Sequence, residues 1–475
     1  MSSGILVSSR SLDPEELSMS TARPDHLPSF KAYDIRGRVP DELDGDLARD
    51  VGRAFAGFLG ARRVVVGHDI RLSSPEFAAA VVEGLRSCGV DVVEIGQCGT
   101  EQVYFATFHL GLDGGIMVTA SHNPSDYNGL KLVREQSKPI SSDTGLADLE
   151  RHILAGDLPP AVDPGTRESI DLDREYVEHL LGYVDRAALK PLKVVVNAGN
   201  GGAGRVIDLL EPHLPFEFVK VHHEPDGTFP NGIPNPLLPD NRESTARAVR
   251  EHGAHAGIAW DGDFDRCFLF DENGAFIEGY YIVGLLAAHA LERHPRSKIV
   301  HDPRLTWNTI EVVEELGGTP IQCKSGHAFI KEVMRREDAV YGGEMSAHHF
   351  FREFSYCDSG MIPWMVALEM MSRSGTPLSE LVGDRVRRFP ASGEINRRLD
   401  DADAAILRIR ERYGPKALRV DETDGLGFEF DEWRFNLRKS NTEPLVRLNC
   451  ESRADRDLME RKTAEVLRVL EGGDA

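Results

Sequence analysis

The chain repeats one pattern several times: a run rich in β-branched residues, a turn with Gly or Ser, and then a helical stretch. Strands that alternate with helices pair in parallel or mixed sheets, because each helix provides a crossover connection. The runs that predict strands lie at 62–67, 92–95, 115–119, 192–196, 256–260, 298–300 and 320–323. The sequence therefore predicts an α/β protein with several sheets.

The chain length and a change of pattern near residue 388 predict the domain organisation. A chain of 475 residues is too long for one core and predicts roughly three or four domains. After residue 388, short strand-like runs at 418–420, 428–430, 433–437 and 445–448 precede a helical segment at 455–470, which indicates an α+β closing domain. We predict a tail over residues 1–25 and domains at 26–167, 168–276, 277–387 and 388–475.

Charge and cysteine usage exclude several classes of partner. The net charge of −22 argues against binding to nucleic acid or to an anionic membrane, since both need a basic surface. The chain has no apolar run near the roughly 20 residues needed to cross a bilayer, and residues 5–7 are too short for a secretory signal. Six scattered cysteines without a CxxC pair predict reduced thiols in the cytoplasm. An anionic substrate would need a locally positive site.

The first chemical motif is Thr-Ala-Ser-His-Asn-Pro at 119–124, which follows an apolar strand and precedes Lys131. Ser121 lies just past the strand, where α/β sheets present reactive groups, and His122 follows it directly. Ala120 and His122 differ from the flanking glycines of the serine hydrolase elbow. A plain turn remains the alternative interpretation, since Ser, Asn and Pro are common turn residues.

The second motif is Asp-Gly-Asp-Phe-Asp-Arg at 261–266. Asp261, Asp263 and Asp265 alternate, so their carboxylates can bind one oxygen-preferring cation such as Mg²⁺. An EF-hand would use Glu272 as its twelfth residue, but it would need glycine where Arg266 stands. A solvated acidic loop is the other alternative, although carboxylates packed this closely repel without a cation among them.

A third motif at 199–204 matches G-x-G-x-x-G after a strand and before a helix. Glu224 lies about 20 residues further on, as a dinucleotide-binding fold requires. The alternative is a glycine-rich connection that lets a helix pack closely on its strand. The Pro- and Gly-rich segment at 224–239 favours this alternative, because it indicates a surface loop.

Two further loops carry polar groups suited to a phosphosugar. In 343–348, Glu344 and Ser346 can hydrogen-bond adjacent hydroxyls and His348 follows, while Lys324 and His327 occupy a polar turn upstream. Ordinary loops are the alternative interpretation here.

The last polar loop has the composition of a phosphate-binding site. Arg438, Ser440, Asn441 and Thr442, with Arg447 beyond them, supply a guanidinium group, hydroxyls and backbone N–H groups. A neutral surface turn is the alternative.

Five segments together resemble the α-D-phosphohexomutase superfamily: 33–37 (Tyr-Asp-Ile-Arg-Gly), 119–124, 261–266, 343–348 and 438–442. The resemblance runs in family order from about residue 30 to the end. It implies a heart-shaped molecule of four domains, three similar α/β domains with mixed sheets and a smaller C-terminal α+β domain, with a central active site.

The resemblance also implies residue roles. Ser121 would be a phosphoserine, and an oxygen of that group would join Asp261, Asp263 and Asp265 around Mg²⁺. The expected catalytic residues are Ser121, His122, Arg36, Lys131, Arg266, His348 and His327, with His348 the first candidate for the general base. The expected substrate contacts are Tyr33, Arg304, Lys324, Glu344, Ser346, Arg438, Ser440, Asn441, Thr442 and Arg447.

Finer resemblances concern the substrate. Gly-Glu-Met-Ser at 343–346 and the runs 343–360 and 263–280 resemble bacterial phosphomannomutases. They imply interconversion of mannose 6-phosphate and mannose 1-phosphate, with hexose 1,6-bisphosphate as intermediate and activator, and a supply of GDP-mannose. Dual action on mannose and glucose phosphates is the alternative; an NAD(P)-dependent oxidoreductase and a non-catalytic sugar-phosphate binder are more distant. Ala347 replaces a glycine found in many members, and we expect a small effect on loop freedom.

Overall fold

The computed structural model describes residues 26–439 and 445–473. The predicted tail at 1–25 and residues 440–444 lie outside the described residues. Four sheets follow one another along the chain, and the α/β fold class with an α+β closing unit is confirmed. Among the described residues, no helix combines the length and apolar character that a membrane span requires.

The first sheet has seven strands in two directions. Its elements are β1 (Ile35–Arg38), α1 (Gly45–Leu59), β2 (Arg63–His68), α2 (Ser74–Ser87), β3 (Asp91–Gln97), α3 (Thr100–His109), β4 (Gly114–Val118), β5 (Tyr127–Arg134), β6 (Lys138–Pro139), α4 (Leu146–Ala155) and β7 (Arg167–Ser169). The strand order is β1-β5-β4-β2-β3-β7, with β6 beside β5. β2 is parallel to β3 and β4, whereas β5 is antiparallel to β4 and β1.

The second sheet repeats this mixture in five strands. Its elements are α5 (Asp173–Leu181), β8 (Lys193–Asn197), α6 (Ala203–Leu210), β9 (Glu217–Val221), α7 (Glu243–His252), β10 (Ala256–Trp260), β11 (Cys267–Phe270) and β12 (Phe276–Ile277). The order is β12-β11-β10-β8-β9. β10 and β9 are parallel to β8, and β11 is antiparallel to β10.

The third sheet also has five strands. Its elements are α8 (Gly279–Arg293), β13 (Lys298–His301), α9 (Trp307–Glu315), β14 (Thr319–Gln322), α10 (His327–Glu337), β15 (Tyr341–Gly343), β16 (His349–Phe351), β17 (Cys357–Asp358), α11 (Ile362–Ser374) and α12 (Leu378–Arg388). The order is β14-β13-β15-β16-β17, with β13 parallel to β14 and β15, and β16 antiparallel to β15.

The fourth sheet is antiparallel throughout. Its elements are β18 (Ile395–Arg398), α13 (Ala402–Tyr413), β19 (Arg419–Asp421), β20 (Leu426–Glu429), β21 (Trp433–Lys439), β22 (Leu445–Ser452) and α14 (Arg456–Leu470). The order is β18-β22-β21-β20-β19. The domain boundaries predicted at 167 and 276 fall within β7 and at the start of β12.

The predicted chemical loops occupy equivalent places in the sheets. In the first three sheets a strand with a parallel neighbour turns back into an antiparallel strand: β4 into β5, β10 into β11 and β15 into β16. These three turns hold residues 119–126, 261–266 and 344–348. Residues 440–444 of the predicted phosphate-binding segment follow β21 in the chain and lie outside the described residues. Similar topology therefore presents one motif from each of the first three sheets.

The largest hydrophobic core joins the first three units. It includes Tyr104 on α3, Trp260 on β10 and Trp364 on α11, and all three side chains are almost fully buried. Burying a large apolar side chain stabilises a fold by roughly 1.5–3 kcal/mol. The relative placement of these units therefore depends on shared packing.

Two glycines allow α1 and α2 to pack closely. A Cβ added at Gly84 would lie 2.1 Å from the Arg49 carbonyl oxygen, and one at Gly52 would lie 2.6 Å from the Val81 carbonyl oxygen. Both obstacles are backbone atoms, so the helices would have to separate. In contrast, Gly383 on α12 meets only the end of the Arg387 side chain, at 3.4 Å.

We predict opposite effects of alanine at two helical glycines. Gly84→Ala should lower the free energy of unfolding, because the added methyl group forces α2 away from α1. Gly383→Ala should raise it by about 0.5–1 kcal/mol, because alanine favours the helical conformation and has space there. Urea unfolding of both variants would measure this, and equal effects would contradict the close packing of α1 and α2.

Candidate active site

Ser121 lies at the start of the loop after β4 and faces the loop after β10. Its hydroxyl group donates a 2.7 Å hydrogen bond to Asp261 Oδ2 and lies 2.9 Å from His122 Nδ1. Arg266 Nη2 donates to the same Nδ1 atom at 2.5 Å. Burial and the charge of Arg266 lower the pKa of His122 well below its ordinary value, so this imidazole is neutral. The structure thus brings together residues that lie 140 positions apart.

Arg71, which no sequence motif indicated, holds the serine loop in place. Arg71 is buried, and its guanidinium group donates to the carbonyl oxygens of Ser121 (3.0 Å), Asn123 (2.6 Å), Pro124 (2.6 Å) and Tyr127 (3.0 Å). Four backbone contacts from one side chain fix the loop conformation. Arg71 follows the C-terminal end of β2, which neighbours β4 in the sheet, and that position is the signal that could have identified it.

A repeated tetrapeptide supports two of the loops. His-Asp-Ile-Arg at 68–71 and His-Asp-Pro-Arg at 301–304 each end a parallel strand. Asp69 and Asp302 each accept a 2.9 Å hydrogen bond from the backbone N–H two residues later. Asp69 also accepts from Thr119 Oγ1 at 2.8 Å, and Asp302 accepts from Met345 N at 2.8 Å. The repeat therefore ties both the serine loop and the 344–348 loop to a neighbouring strand.

The three aspartates of the 261–266 loop form one buried cluster with two cations. Lys131 Nζ donates to Asp263 Oδ2 at 2.7 Å and to Asp265 Oδ2 at 2.5 Å. Arg266 pairs with Asp261 Oδ2 at 2.7 Å. Although burial lowers the pKa of Lys131, the two carboxylates raise it above the ordinary lysine value. Lys131 and Arg266 therefore balance two of the three negative charges.

The same cluster fits a divalent metal ion. One oxygen each of Asp261, Asp263 and Asp265 lies within 4.8 Å of the others. Among the described residues, the buried Oδ1 atoms of Asp263 and Asp265 have no hydrogen-bond partner, although the His348 ring lies 3.6 Å from the second of them. Unpaired buried carboxylate oxygens are costly unless a cation binds them. The donor set, all oxygen, is of the kind that Mg²⁺ prefers.

Arg36 lies on the other side of the serine loop. It forms a 2.8 Å hydrogen bond from Nε to Asp34 Oδ2 and another of 2.7 Å from Nη1 to Asn123 Oδ1. It thus adds a positive charge beside Ser121. Arg36, Lys131 and Arg266 thus place three cations around the serine loop, each paired with an aspartate.

The 344–348 loop forms a second polar cluster. Glu344 Oε1 accepts from the Gly326 backbone N–H at 2.8 Å, and its Oε2 atom lies 3.1 Å from His348 Nδ1 as an ion pair. Arg304 Nη2 lies 3.5 Å from Glu344 Oε1 and donates to Ser346 Oγ at 3.1 Å. Burial raises the pKa of Glu344, but hydrogen bonding to His348 and the charges of His348 and Arg304 lower it to about 2. Glu344 is therefore a fixed anion.

His348 connects the two clusters. Its Nε2 atom lies 3.6 Å from Asp265 Oδ1, and its backbone pairs with that of Arg266. Burial lowers its pKa, but the bonds to Asp265 and Glu344 outweigh this and raise it to about 9. The ring of His327 lies 6.2 Å from that of His348, and burial lowers the pKa of His327 well below its ordinary value. The chain thus places one protonated and one neutral imidazole side by side.

Arginine side chains converge where the third and fourth units meet. Glu394 lies 3.6 Å from Arg304, 4.0 Å from Arg438 and 3.9 Å from Arg447. Arg438 also pairs with Asp424 at 3.1 Å. Arg304 therefore links the 344–348 loop to the two described arginines of the predicted phosphate-binding segment.

The remaining predicted substrate contacts differ in their placement. Tyr33 stacks edge-on against His327 and Phe329, with ring centroids 5.9 and 5.5 Å away. Lys324 is exposed, and its Nζ lies 4.7 Å from the Phe329 ring, outside the buried clusters. Ser440, Asn441 and Thr442 lie outside the described residues.

The glycine-rich segment 199–204 serves the 261–266 loop. Gly202 N donates a 3.0 Å hydrogen bond to the Gly262 carbonyl oxygen, and a Cβ at Gly201 would lie 2.8 Å from that oxygen. The Gly262 carbonyl group therefore occupies the space beside these glycines that a pyrophosphate would need. The carbonyl of Glu224 accepts from Asn200 Nδ2 at 2.8 Å, as part of a surface loop. These contacts favour the close-packing interpretation over the dinucleotide one.

Glu272 also has a role unrelated to the EF-hand alternative. Its carboxylate accepts hydrogen bonds from Ser379, and β11 separates it from the three aspartates.

Each of the three described loops contains a non-glycine residue in the left-handed region of backbone space. The φ angles are 50° at Ser121, 45° at Phe264 and 73° at Ala347. Such conformations cost about 1–3 kcal/mol and persist only where surrounding contacts enforce them. At Ala347 the positive φ angle carries this conformational cost, whereas glycine would adopt the same angle without strain. The expectation from the sequence was only a small change in loop freedom.

Phe264 marks a contact between loops that the sequence analysis did not predict. A Cβ at Gly99 would lie 2.1 Å from the Phe264 ring, and one at Gly202 would lie 2.9 Å from it. Thr100, next to Gly99, donates to Asp263 through both its backbone N–H (3.1 Å) and its hydroxyl group (2.6 Å). The start of α3 therefore holds the aspartate loop.

Comparisons with known proteins agree with this arrangement. Models of the phosphoglucomutase/phosphomannomutase family match four successive parts: alpha/beta/alpha domain I at 28–158, domain II at 174–274, domain III at 278–389 and the C-terminal domain at 394–469. A crystal structure of a phosphoglucomutase/phosphomannomutase family protein from Burkholderia thailandensis superposes with a TM-score of 0.84 and 34% identity, covering 94% of this chain and 98% of that one.

Curated relatives are more similar in sequence. A Xanthomonas campestris pv. campestris protein named "Phosphohexose mutases" is 63% identical over 447 residues, 94% of this chain and 100% of the relative. Proteins named "Phosphomannomutase" from Salmonella montevideo and Escherichia coli K12 are 60% and 57% identical, each covering 94% of this chain and 99% of the relative.

We predict that His348 titrates near pH 9 in protein freed of divalent cations, because Asp265 and Glu344 stabilise its protonated form. Its stabilising contribution is complete below the ordinary value of 6.5 and is lost as pH rises through about 9. Histidine-selective NMR would measure the pKa, and Glu344→Gln should lower it by removing one carboxylate. Titration of the wild-type residue at its ordinary value would contradict the arrangement.

Proposed function

The chain belongs to the phosphoglucomutase/phosphomannomutase family, and we propose that it is a phosphomannomutase that interconverts mannose 6-phosphate and mannose 1-phosphate. The observation that carries the proposal is the 2.7 Å hydrogen bond between Ser121 and Asp261, within an enclosed cluster of carboxylates and cations. A hydroxyl group, three carboxylates of the kind that hold Mg²⁺, and cationic side chains suited to an anion meet there. Phosphoryl transfer requires this combination of positioning and charge neutralisation.

Phosphorylated Ser121 is the proposed donor. The bond between phosphorus and Ser121 Oγ breaks as a sugar hydroxyl oxygen bonds to phosphorus. Asp261, Asp263, Asp265 and a phosphoserine oxygen would hold Mg²⁺, which would neutralise charge on the phosphoryl oxygens. Burial supports the assignment, since Ser121 is only 3% exposed and water would hydrolyse the phosphoserine.

Cationic side chains stabilise the charge that spreads during transfer. Arg36 and Arg266 flank the serine loop, and Lys131 binds two of the aspartates. His122 lies beside the serine oxygen as a neutral imidazole and can accept a hydrogen bond there. Charges that are already held in place lower the barrier to phosphoryl transfer, because the protein need not reorganise as the transition state forms.

Proton transfer from the sugar hydroxyl is assigned to His348, which must first release its own proton to solvent, because its pKa is raised to about 9. It contacts Glu344, the proposed partner of sugar hydroxyls, and reaches toward Asp265 in the aspartate cluster. A general base must lie within hydrogen-bond reach of the proton that it takes. His327, neutral and adjacent, is the second candidate, and Lys131 is the third because both carboxylates keep it protonated.

The non-transferred phosphate is assigned to the fourth unit. Arg438, Ser440, Asn441, Thr442 and Arg447 are the proposed contacts, with Tyr33, Arg304 and Lys324 at its margin. The hexose 1,6-bisphosphate formed by the first transfer turns end for end, and its other phosphoryl group returns to Ser121. The same bisphosphate would activate unphosphorylated enzyme.

A second candidate, dual action on mannose and glucose phosphates, is favoured by the relative named "Phosphohexose mutases". A coupled assay of mannose 1-phosphate against glucose 1-phosphate, primed with hexose 1,6-bisphosphate, distinguishes the two. The mannose 1-phosphate product would supply GDP-mannose synthesis. The six free thiols support a reducing compartment, and we assign the enzyme to the cytoplasm.

We predict that Ser121→Ala abolishes mutase turnover, because the variant lacks the oxygen that carries the phosphoryl group. Intact mass should show a phosphate on the wild-type chain and none on the variant. Ser372→Ala, which changes a buried serine on α11, is the matched control and should keep its activity. Near-normal turnover by Ser121→Ala would contradict the phosphoserine mechanism. Turnover by a wild-type chain whose intact mass shows no phosphate would mean that Ser121 carries the phosphoryl group only transiently.

We predict that Arg438→Ala weakens substrate binding by roughly 1.5–3 kcal/mol, the contribution of a charge-assisted hydrogen bond. Steady-state kinetics should show this as a raised KM. Lys439→Ala is the control, because Lys439 is exposed and pairs with Asp403. Equal KM values for both variants would remove Arg438 from the phosphate site.

A further inference from the structure

Helix α3 is buried along most of its length, and it begins at the aspartate loop. Eight of its residues are buried, including polar Thr100, Glu101 and Gln102. The N–H and hydroxyl groups of Thr100 hold Asp263, as described above. Any displacement of this helix start therefore moves a proposed metal ligand.

The carboxylate of Glu101 is fully buried and accepts four hydrogen bonds. Tyr176 Oη (2.5 Å) and Ser359 Oγ (2.9 Å) donate to Oε1, and the backbone N–H groups of Gly360 (2.6 Å) and Met361 (3.2 Å) donate to Oε2. The last three donors precede α11 in the third unit. Glu101 therefore joins the start of α3 in the first unit to the start of α11.

The partners of Glu101 also contact the other loops. A Cβ at Gly360 would lie 2.3 Å from the Phe264 carbonyl oxygen, and Trp260 Nε1 donates to the Gly360 carbonyl at 2.8 Å. Ser359 N donates to the His349 carbonyl at 3.0 Å, one residue after His348. One short segment thus contacts the aspartate loop on one side and β16, the strand that follows His348, on the other.

We propose that Glu101 is a positioning residue for phosphoryl transfer, which sets the distance between the serine and aspartate loops and the sugar-binding loop. This inference rests on the proposed function. Glu101 does not touch the reacting atoms; it acts through Thr100 and through residues 359–361. The sugar and phosphate contacts belong to the third and fourth units, so loss of Glu101 should impair transfer and spare substrate binding.

A neutral side chain of the same shape should preserve the bridge. Burial raises the pKa of Glu101 to about 8, although its four donors oppose this, so a neutral group is tolerated there. The amide oxygen of glutamine can accept from Gly360 and Met361, and the two hydroxyl groups can rotate to accept from its NH₂ group. Glu101→Gln is therefore the conservative variant that separates geometry from charge.

The test compares Glu101→Ala, Glu101→Gln and a control, Glu369→Ala. Glu369 is a buried glutamate near the other end of α11 that pairs with Arg373. We expect Glu101→Ala to lower kcat by about a hundredfold, the loss that a 1 Å misplacement can produce, with KM for mannose 1-phosphate nearly unchanged. Glu101→Gln should restore most of kcat, and Glu369→Ala should resemble the wild type.

A second measurement does not depend on activity. Amide hydrogen exchange at residues 345–351 should become faster in Glu101→Ala and stay unchanged in Glu369→Ala, because only the first loses the support of Ser359. If Glu101→Ala fails to fold, Tyr176→Phe removes one donor to the same carboxylate and should lower kcat with KM unchanged.

The outcomes are distinguishable. Wild-type protein without mutase activity would refute the proposed function, and hydrogen exchange would still test the bridge. Active wild type with a folded Glu101→Ala variant that matches Glu369→Ala in kcat and in exchange would overturn the positioning role. If Glu101→Ala does not fold, an unchanged kcat in Tyr176→Phe would also overturn the positioning role. Loss of kcat in Glu101→Ala with rescue by Glu101→Gln supports it.

Discussion

The arrangement of the candidate active site depends on how the negative charges of three buried aspartates are compensated. Carboxylates leave water only when cations or hydrogen bonds compensate for the lost hydration. Here Lys131, from the first unit, compensates Asp263 and Asp265 of the second. The two units must therefore dock for either set of charges to be buried. This requirement explains how a chain with a net charge of −22 can bury a cluster of carboxylates together with cations.

Equivalent turns supply the groups that meet around this charge balance. The serine, the aspartates and the proposed sugar-binding residues each occupy the turn from a strand with a parallel neighbour into an antiparallel one. The sheet fixes the direction of each turn, and the repeated His-Asp-x-Arg segments at 68–71 and 301–304 hold two of them. Three similar units thus place three different sets of polar side chains at one topological position.

The sequence predicted the strands and the chemical motifs because both are local patterns. Ala256–Trp260 was predicted with the same bounds that the structure shows, and Ser121 and Asp261 were identified from their own segments. The contacts of Arg71, Glu101 and Phe264 were missed because each depends on residues far away in the chain. The glycine-rich segment 199–204 resembled a cofactor motif for a related reason: its partner, Gly262, cannot be recognised before the chain folds.

The carboxylate of Glu394, shared by Arg304, Arg438 and Arg447, has a consequence for ligand exchange. A phosphate dianion that reaches these guanidinium groups replaces an internal anion as well as solvent. The net gain is then the difference between two electrostatic attractions, which limits how tightly the dianion is held. A sugar bisphosphate must dissociate from these groups, rotate and bind again through its opposite phosphate. Moderate affinity for the phosphate permits this exchange.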